Sequence, residues 1–275
     1  MNITGKTEIT GIFGYPIEHT LSPLMHNAAF NALGLDICYV PFRVSPEDLP
    51  GAVRAVRCLN LLGVNTTIPH KEKVMPLLDE IDSEASFIGA VNTIVNSRGR
   101  LTGYNTDGRG FINSLSEEGI SIDKKNIFII GAGGASRAVA YYLSEKASKL
   151  SLYDTDISKA EKLAADLRKI RNNISLPGNV EDSSGSDIII NATPLGLAPD
   201  DPLPLNPDLI TPDMTVCDFI YRKTRLLQEA EKRGAKTVDG LGMLLWQGVL
   251  AFELWTGVKP PVDVMREALL SGMKR

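Results

Sequence analysis

Asn126-Ile127-Phe128-Ile129-Ile130-Gly131-Ala132-Gly133-Gly134-Ala135-Ser136-Arg137 reads as a strand, a glycine turn and the start of a helix, in that order. Without a Cβ at Gly131 and Gly133 the backbone turns tightly and comes close to a pyrophosphate, whose charge rests on the free N–H groups of the helix N-terminus. Ser136 stands where the third glycine of a G-x-G-x-x-G pattern is expected. The following strand, Leu150 to Asp154, ends in a carboxylate 23 residues beyond Gly131. That is close to the roughly 20 at which an acid meets the adenosine ribose of a dinucleotide. A carboxylate there accepts from ribose hydroxyls and repels a 2′-phosphate, which favours NAD. Thr155 and Asp156 occupy the places where a phosphate clamp would need cations, and Lys159 is the nearest one. Two plainer roles stay open: a glycine turn that only packs helix on strand, and an Asp154 that caps the helix starting near Ile157.

Outward from this turn, short apolar β-branched runs alternate with helix-like stretches, the pattern of an α/β fold with a largely parallel sheet. Strands are expected at Ile9–Gly14, Cys38–Val44, Gly63–Ile68, Thr93–Asn96, Leu101–Tyr104, Asn126–Ile130, Leu150–Asp154, Asp187–Asn191, Thr215–Ile220 and Lys236–Val238. Arg98 and Gly99 separate two of them as a hairpin turn would. Ser22 before Pro23 reads as an N-cap with a first-turn proline, opening a helix that Gly34 stops. Helices are also expected over Gly240–Leu254 and Val262–Met273. The polar stretch Gly119–Lys125 marks where a second sheet begins.

Of the 275 residues, 43% are hydrophobic and 23% charged, enough for two domains with cores of their own. A net charge of −4 without a basic run argues against nucleic acid. No signal-peptide pattern and no membrane-length apolar run is read from the sequence. Cys38, Cys58 and Cys217 lack CxxC spacing, and His19, His26 and His70 lack metal-ligand spacing. These features predict a soluble, cytoplasmic chain with reduced, mostly buried thiols, no metal and no membrane or nucleic-acid partner.

Four polar clusters in the first half stand at strand ends or helix starts: Thr20 with Ser22; Asn65, Thr67 and Lys71; Asn92; and Asn105 with Asp107. Together they suit a small ligand with several hydroxyls. Taken singly, Thr20 and Ser22 read as capping groups, Asn92 and Asn105 as turn formers, and Lys71 as a solvated first-turn residue. Taken in order, the segments resemble the shikimate dehydrogenase family over nearly the whole chain. Gly14 to Pro23 with His26-Asn27 resembles its opening substrate segment, and Asn65 to Lys71 its NVTxPxK segment. Gly89 to Thr93 resembles GAVNT, Asn105 to Gly108 NTDG, and Gly131 to Ala138 GAGGxxRA. Asn191 to Pro194, Asp218 to Tyr221, and Gly240 to Leu244 with Gln247 resemble the remaining segments.

The resemblance implies an α/β protein of two domains. Residues 1–105, completed by helices over 240–275, form a substrate domain with a mostly parallel sheet; residues 106–239 form a Rossmann domain. It implies that Thr20, Ser22, Thr67, Asn92, Asp107, Tyr221 and Gln247 hold shikimate or 3-dehydroshikimate. Gly131, Ala132, Gly133, Gly134, Ala135, Asp154, Thr155, Thr193, Phe219 and Gly240 lie along the cofactor, which is NADP by resemblance, whereas Asp154 favours NAD. Lys71 and Asp107 form the catalytic pair, with the ammonium giving the ketone oxygen its proton. A monomer or a homodimer is expected. Three departures stand out: Thr20 for the usual serine, Asp154-Thr155 for Asn-Arg, and a segment after Tyr221 shorter than YxPxxT. An NAD-dependent quinate/shikimate dehydrogenase is the nearest alternative. A nucleotide-sensing module without turnover would lack the intact Lys71 and Asp107, and a folate-linked dehydrogenase would need aromatic residues that the first half hardly supplies.

Overall fold

A computed structural model describes residues 3–273. The chain divides into two compact units, one running to Thr106 and resuming at Gln247, the other spanning Asp107–Trp246.

The first unit contains β1 (Glu8–Gly14), α1 (Ser22–Ala32), β2 (Ile37–Arg43), α2 (Leu49–Cys58), β3 (Gly63–Thr66), β4 (Glu80–Ile81), α3 (Ser83–Ile88), β5 (Thr93–Ser97) and β6 (Arg100–Tyr104). Its sheet has the order β2-β1-β3-β5-β6-β4. Only β5 opposes its neighbours; the other five strands share one direction. The reversal is made by Arg98 and Gly99, both at positive φ (55° and 90°), between the paired Ser97 and Arg100. Such a turn matches the right-handed strand twist. Beneath the sheet, Leu49, Val53 and Val56 present one face of α2 to Phe13, Val64, Ile94 and Leu101.

Helix α1 has Pro23 in its first turn as expected, but Ser22 is not its cap. Leu21 holds that position without a side-chain bond, and Ser22 is buried as the first residue of the helix. The edge strand β2 is covered by Asn27 of α1, whose side chain accepts from the Tyr39 N–H at 2.8 Å and donates to its carbonyl at 2.9 Å. An edge strand otherwise leaves those groups to water or to another chain.

The second unit contains α4 (Asp107–Glu117), β7 (Asn126–Ile130), α5 (Gly134–Lys146), β8 (Lys149–Tyr153), α6 (Ile157–Arg168), β9 (Ile174–Ser175), β10 (Ile188–Asn191), β11 (Thr215–Asp218), α7 (Arg225–Lys232) and β12 (Lys236–Val238). Its sheet is wholly parallel, in the order β12-β11-β10-β7-β8-β9. Counted from β7, that is the 3-2-1-4-5-6 order of doubly wound nucleotide-binding sheets, with its crevice where the order reverses, between β7 and β10. Phe128, Ile130, Ile189 and Val216 meet Leu226, Leu227 and Ala230 of α7 in its core.

Helix α8 (Leu241–Thr256) carries the chain from the second unit back to the first, and α9 (Val262–Met273) packs on α1. Among the described residues, no helix is long and apolar enough to cross a membrane. All ten expected strands form, within two residues at each end, and β4 and β9 are additional two-residue strands.

Candidate active site

At the end of β7 the chain turns at Gly131, whose φ of +103° strains any side chain. A Cβ there would also stand 3.0 Å from the Ala192 backbone. Gly133 differs: its φ of −76° is ordinary, and a Cβ built on it meets nothing within 4 Å. Its missing side chain therefore serves no contact within the protein. It leaves a cradle before the first turn of α5, where Gly134 and Ala135 follow without a side-chain cap. Free N–H groups behind an open cradle suit a phosphate. Ser136 is fully buried, and its Oγ has no partner; its small size substitutes for the third glycine in helix–strand packing.

Asp154 follows β8 directly. Its Oδ2 accepts from the Ala132 N–H at 2.7 Å and its Oδ1 from the Asp156 N–H at 2.8 Å. The carboxylate thus ties the strand end to the glycine turn. It does not cap α6, since Asp156 occupies the cap position. With about four lone-pair positions, a carboxylate bonded twice retains capacity for ribose hydroxyls. Thr155 beside it is exposed. Lys159 pairs with Asp156 at 3.5 Å, and Arg137 with Asp166.

Across the crevice, buried Asn191 ends β10. Its amide donates to the Leu195 carbonyl (3.0 Å) and Asp218 (3.2 Å), while its Oδ1 accepts from the N–H and hydroxyl of half-buried Thr193. Asp218 ends β11 and also accepts from Thr224 Oγ1 at 2.8 Å and the Ile220 N–H at 3.1 Å. Burial pushes its carboxyl pKa up, against those bonds. Phe219 meets Phe111 edge-on at 5.4 Å. A Cβ on Gly240 would fall 2.1 Å from the Phe219 carbonyl oxygen, so this glycine lets the turn into α8 lie on the Phe219 backbone. The shortened segment after Tyr221 is closed by Thr224, which caps α7, and by Arg222, which donates to the Gly196 and Leu197 carbonyls. Tyr221 itself is exposed.

In the first unit, Thr67 sits against Gly14, where a Cβ would approach its methyl group at 2.6 Å. The Thr67 N–H donates to Phe13 O (2.9 Å) and the Tyr15 N–H to Ile68 O (3.1 Å), extending the β1–β3 pairing to the turn that carries Lys71. Lys71 is half-buried on a non-helical turn, and its carbonyl accepts from the Val91 N–H at 2.8 Å. His70 is buried, with Nε2 bonded to the Val44 carbonyl at 2.8 Å, a structural role. Thr20 is half-buried, its hydroxyl 3.4 Å from the Ser22 N–H. Tyr39, Asn65, Asn92, Thr93 and Thr106 form a continuous buried polar group that joins the first half of β2 to β3 and the start of β5, and Ser22 is buried at the start of α1. Sequence reasoning grouped Asn65 with Thr67 and Lys71 but passed over Tyr39 and Thr106. An asparagine in a buried strand calls for partners, and only the strand order names them. Asp107 is buried as the first residue of α4 in the second unit; half-buried Gln247 lies on α8 in the first.

A family model described as the shikimate dehydrogenase substrate binding domain matches residues 12–94, and one described as the shikimate 5'-dehydrogenase C-terminal domain matches residues 240–270. The shikimate dehydrogenase (NADP(+)) of Carboxydothermus hydrogenoformans is 47% identical, covering 98% of this chain and 99% of its own. A crystal structure of a shikimate dehydrogenase in complex with NADP+ is 43% identical, with a TM-score of 0.93 over 98% of this chain and 97% of its own. The Listeria monocytogenes shikimate 5-dehydrogenase, solved with shikimate and NAD, is 38% identical, with a TM-score of 0.91 over 97% of this chain and 98% of that one.

Proposed function

The chain belongs to the shikimate dehydrogenase family, and from that premise we propose that it interconverts 3-dehydroshikimate and shikimate with a nicotinamide dinucleotide, a step of chorismate and aromatic amino acid biosynthesis. The observation that carries the reading is the Gly133 cradle at the switch point of a 3-2-1-4-5-6 sheet, in a chain whose other unit collects buried hydroxyls and amides around β3 and β5. Thr20, Ser22, Thr67, Asn92, Asp107, Tyr221 and Gln247 hold the substrate in this reading. Ala132, Gly133, Gly134, Ala135, Asp154, Thr155, Thr193 and Phe219 hold the dinucleotide. Gly131 and Gly240 serve it indirectly, because protein backbone already takes up the space beside each.

The bound dinucleotide supplies the hydride. The proton comes from the chain itself: Lys71 donates it to the ketone oxygen as charge develops there, and Asp107 orients the ammonium and a substrate hydroxyl. In the oxidation direction Lys71 takes the proton back. Kinship makes NADP the cofactor. Asp154 extends the reading to NAD, the dinucleotide named with the Listeria monocytogenes protein. Asp154 also favours the second reading, an NAD-dependent quinate/shikimate dehydrogenase. We place the enzyme in the cytoplasm as a monomer or homodimer, which fractionation and sedimentation check.

Lys71→Met tests the assignment. Turnover is expected to fall by a factor on the order of 10² or more while the KM for shikimate changes little. Near-normal turnover would remove Lys71 from the chemistry.

A further inference from the structure

We propose that Tyr39 is a positioning residue for the substrate: its buried phenol holds the Asn65 amide, which in turn fixes Asn92 through the Asn92 carbonyl and Thr93. The inference rests on the reading above, in which Asn92 touches the substrate, and adds a residue outside the set that holds substrate or cofactor.

Counting protons shows how the group is wired. Asn65 donates through Nδ2 to the Asn92 carbonyl and to Thr93 Oγ1, each at 3.0 Å, so its Oδ1 is an acceptor. The Tyr39 hydroxyl donates to that Oδ1 at 2.8 Å. Its single proton is thereby engaged. Onward, Thr93 Oγ1 donates to Asn92 Oδ1 at 3.0 Å, Asn92 Nδ2 donates to Thr106 Oγ1 at 2.9 Å, and the Thr106 N–H returns to Asn92 Oδ1 at 2.9 Å. Every member is buried, so water does not compete for these bonds.

The phenol is itself immobilised. The His26 ring stacks on it at 4.5 Å and 9°, Trp255 lies 6.0 Å away, and Asn27 holds its backbone on both sides. A free side-chain amide samples several orientations; one bonded at both its oxygen and its nitrogen does not. The arrangement fixes Asn65 and Asn92 before the ligand arrives, and prior fixing of this kind strengthens binding without a new contact.

Tyr39→Phe keeps the ring and its stack and deletes only the hydroxyl. The proposal expects a rise of about tenfold in the KM for shikimate, the scale of one hydrogen bond. It expects kcat to stay within about threefold, and shikimate to raise the melting temperature less than in the parent protein. In an Asn92→Ala background the same change should move KM by less than about twofold, because the group it acts through is gone. An unchanged KM in the single variant, or an equal tenfold rise in both backgrounds, overturns the proposal. If Tyr39→Phe does not fold, Asn65→Ser withdraws the phenol's acceptor and carries the same expectations against Asn92→Ala. Parent protein without shikimate-dependent turnover or thermal shift would instead overturn the function on which this rests.

Discussion

Both ring nitrogens of His26 are buried without a partner, and the ring stacks between Tyr39 and Phe252. Burial pushes its pKa down from 6.5 to about 3. The unfolded chain binds a proton there below pH 6.5, the folded protein only near pH 3, so acid favours unfolding across that window. The His26 contribution is whole above pH 6.5 and is lost as the pH falls toward 3. Urea unfolding at pH 7 and pH 5 should show the parent losing about 2 kcal/mol more stability than His26→Leu. Parallel losses would mean that His26 is protonated in the fold. A second single residue, Asp154, is predicted to govern cofactor choice. Asp154→Asn removes the charge facing a 2′-phosphate and should shift the ratio of kcat/KM for NADP over NAD upward by about tenfold. An unchanged ratio would separate that choice from Asp154.

At the scale of elements, the turn between β7 and α5 contains two glycines with different reasons to be glycine. Gly131 is required by its positive φ and by Ala192, so Gly131→Ala should cost more than about 1 kcal/mol of stability. Gly133 faces open space at an ordinary φ, so Gly133→Ala should leave stability within about 1 kcal/mol. It should nevertheless raise the dinucleotide KM by about tenfold or more, since the methyl group enters the cradle. Thermal unfolding with steady-state kinetics checks both; equal effects of the two substitutions would contradict the cradle. The motif was legible in the sequence because strand, glycines and helix occur together, but the sequence does not distinguish the two roles, which depend on what lies beside each Cα. Ser22 shows the same limit. Its place before Pro23 reads as a cap, whereas Leu21 takes the cap position and Ser22 is buried inside the helix. Strands β4 and β9, two residues each, are too short for a period of two to register.

At the scale of the molecule, the alternation of apolar runs with helices made the α/β class legible, and the polar clusters between them marked most of the candidate substrate edge. Buried links such as Tyr39 and Thr106 were not legible, because an aromatic in a strand and a threonine before a helix look like ordinary packing. Each unit has its own apolar core: Phe13, Val64 and Ile94 in the first, Phe128, Ile189 and Val216 in the second. Hydride transfer between shikimate and a nicotinamide dinucleotide is tested most directly by absorbance at the reduced-nicotinamide band. Purified protein given shikimate or quinate with NADP+ or NAD+ should form reduced dinucleotide at a rate that depends on shikimate concentration. Absence of shikimate-dependent reduction with either dinucleotide would contradict the account.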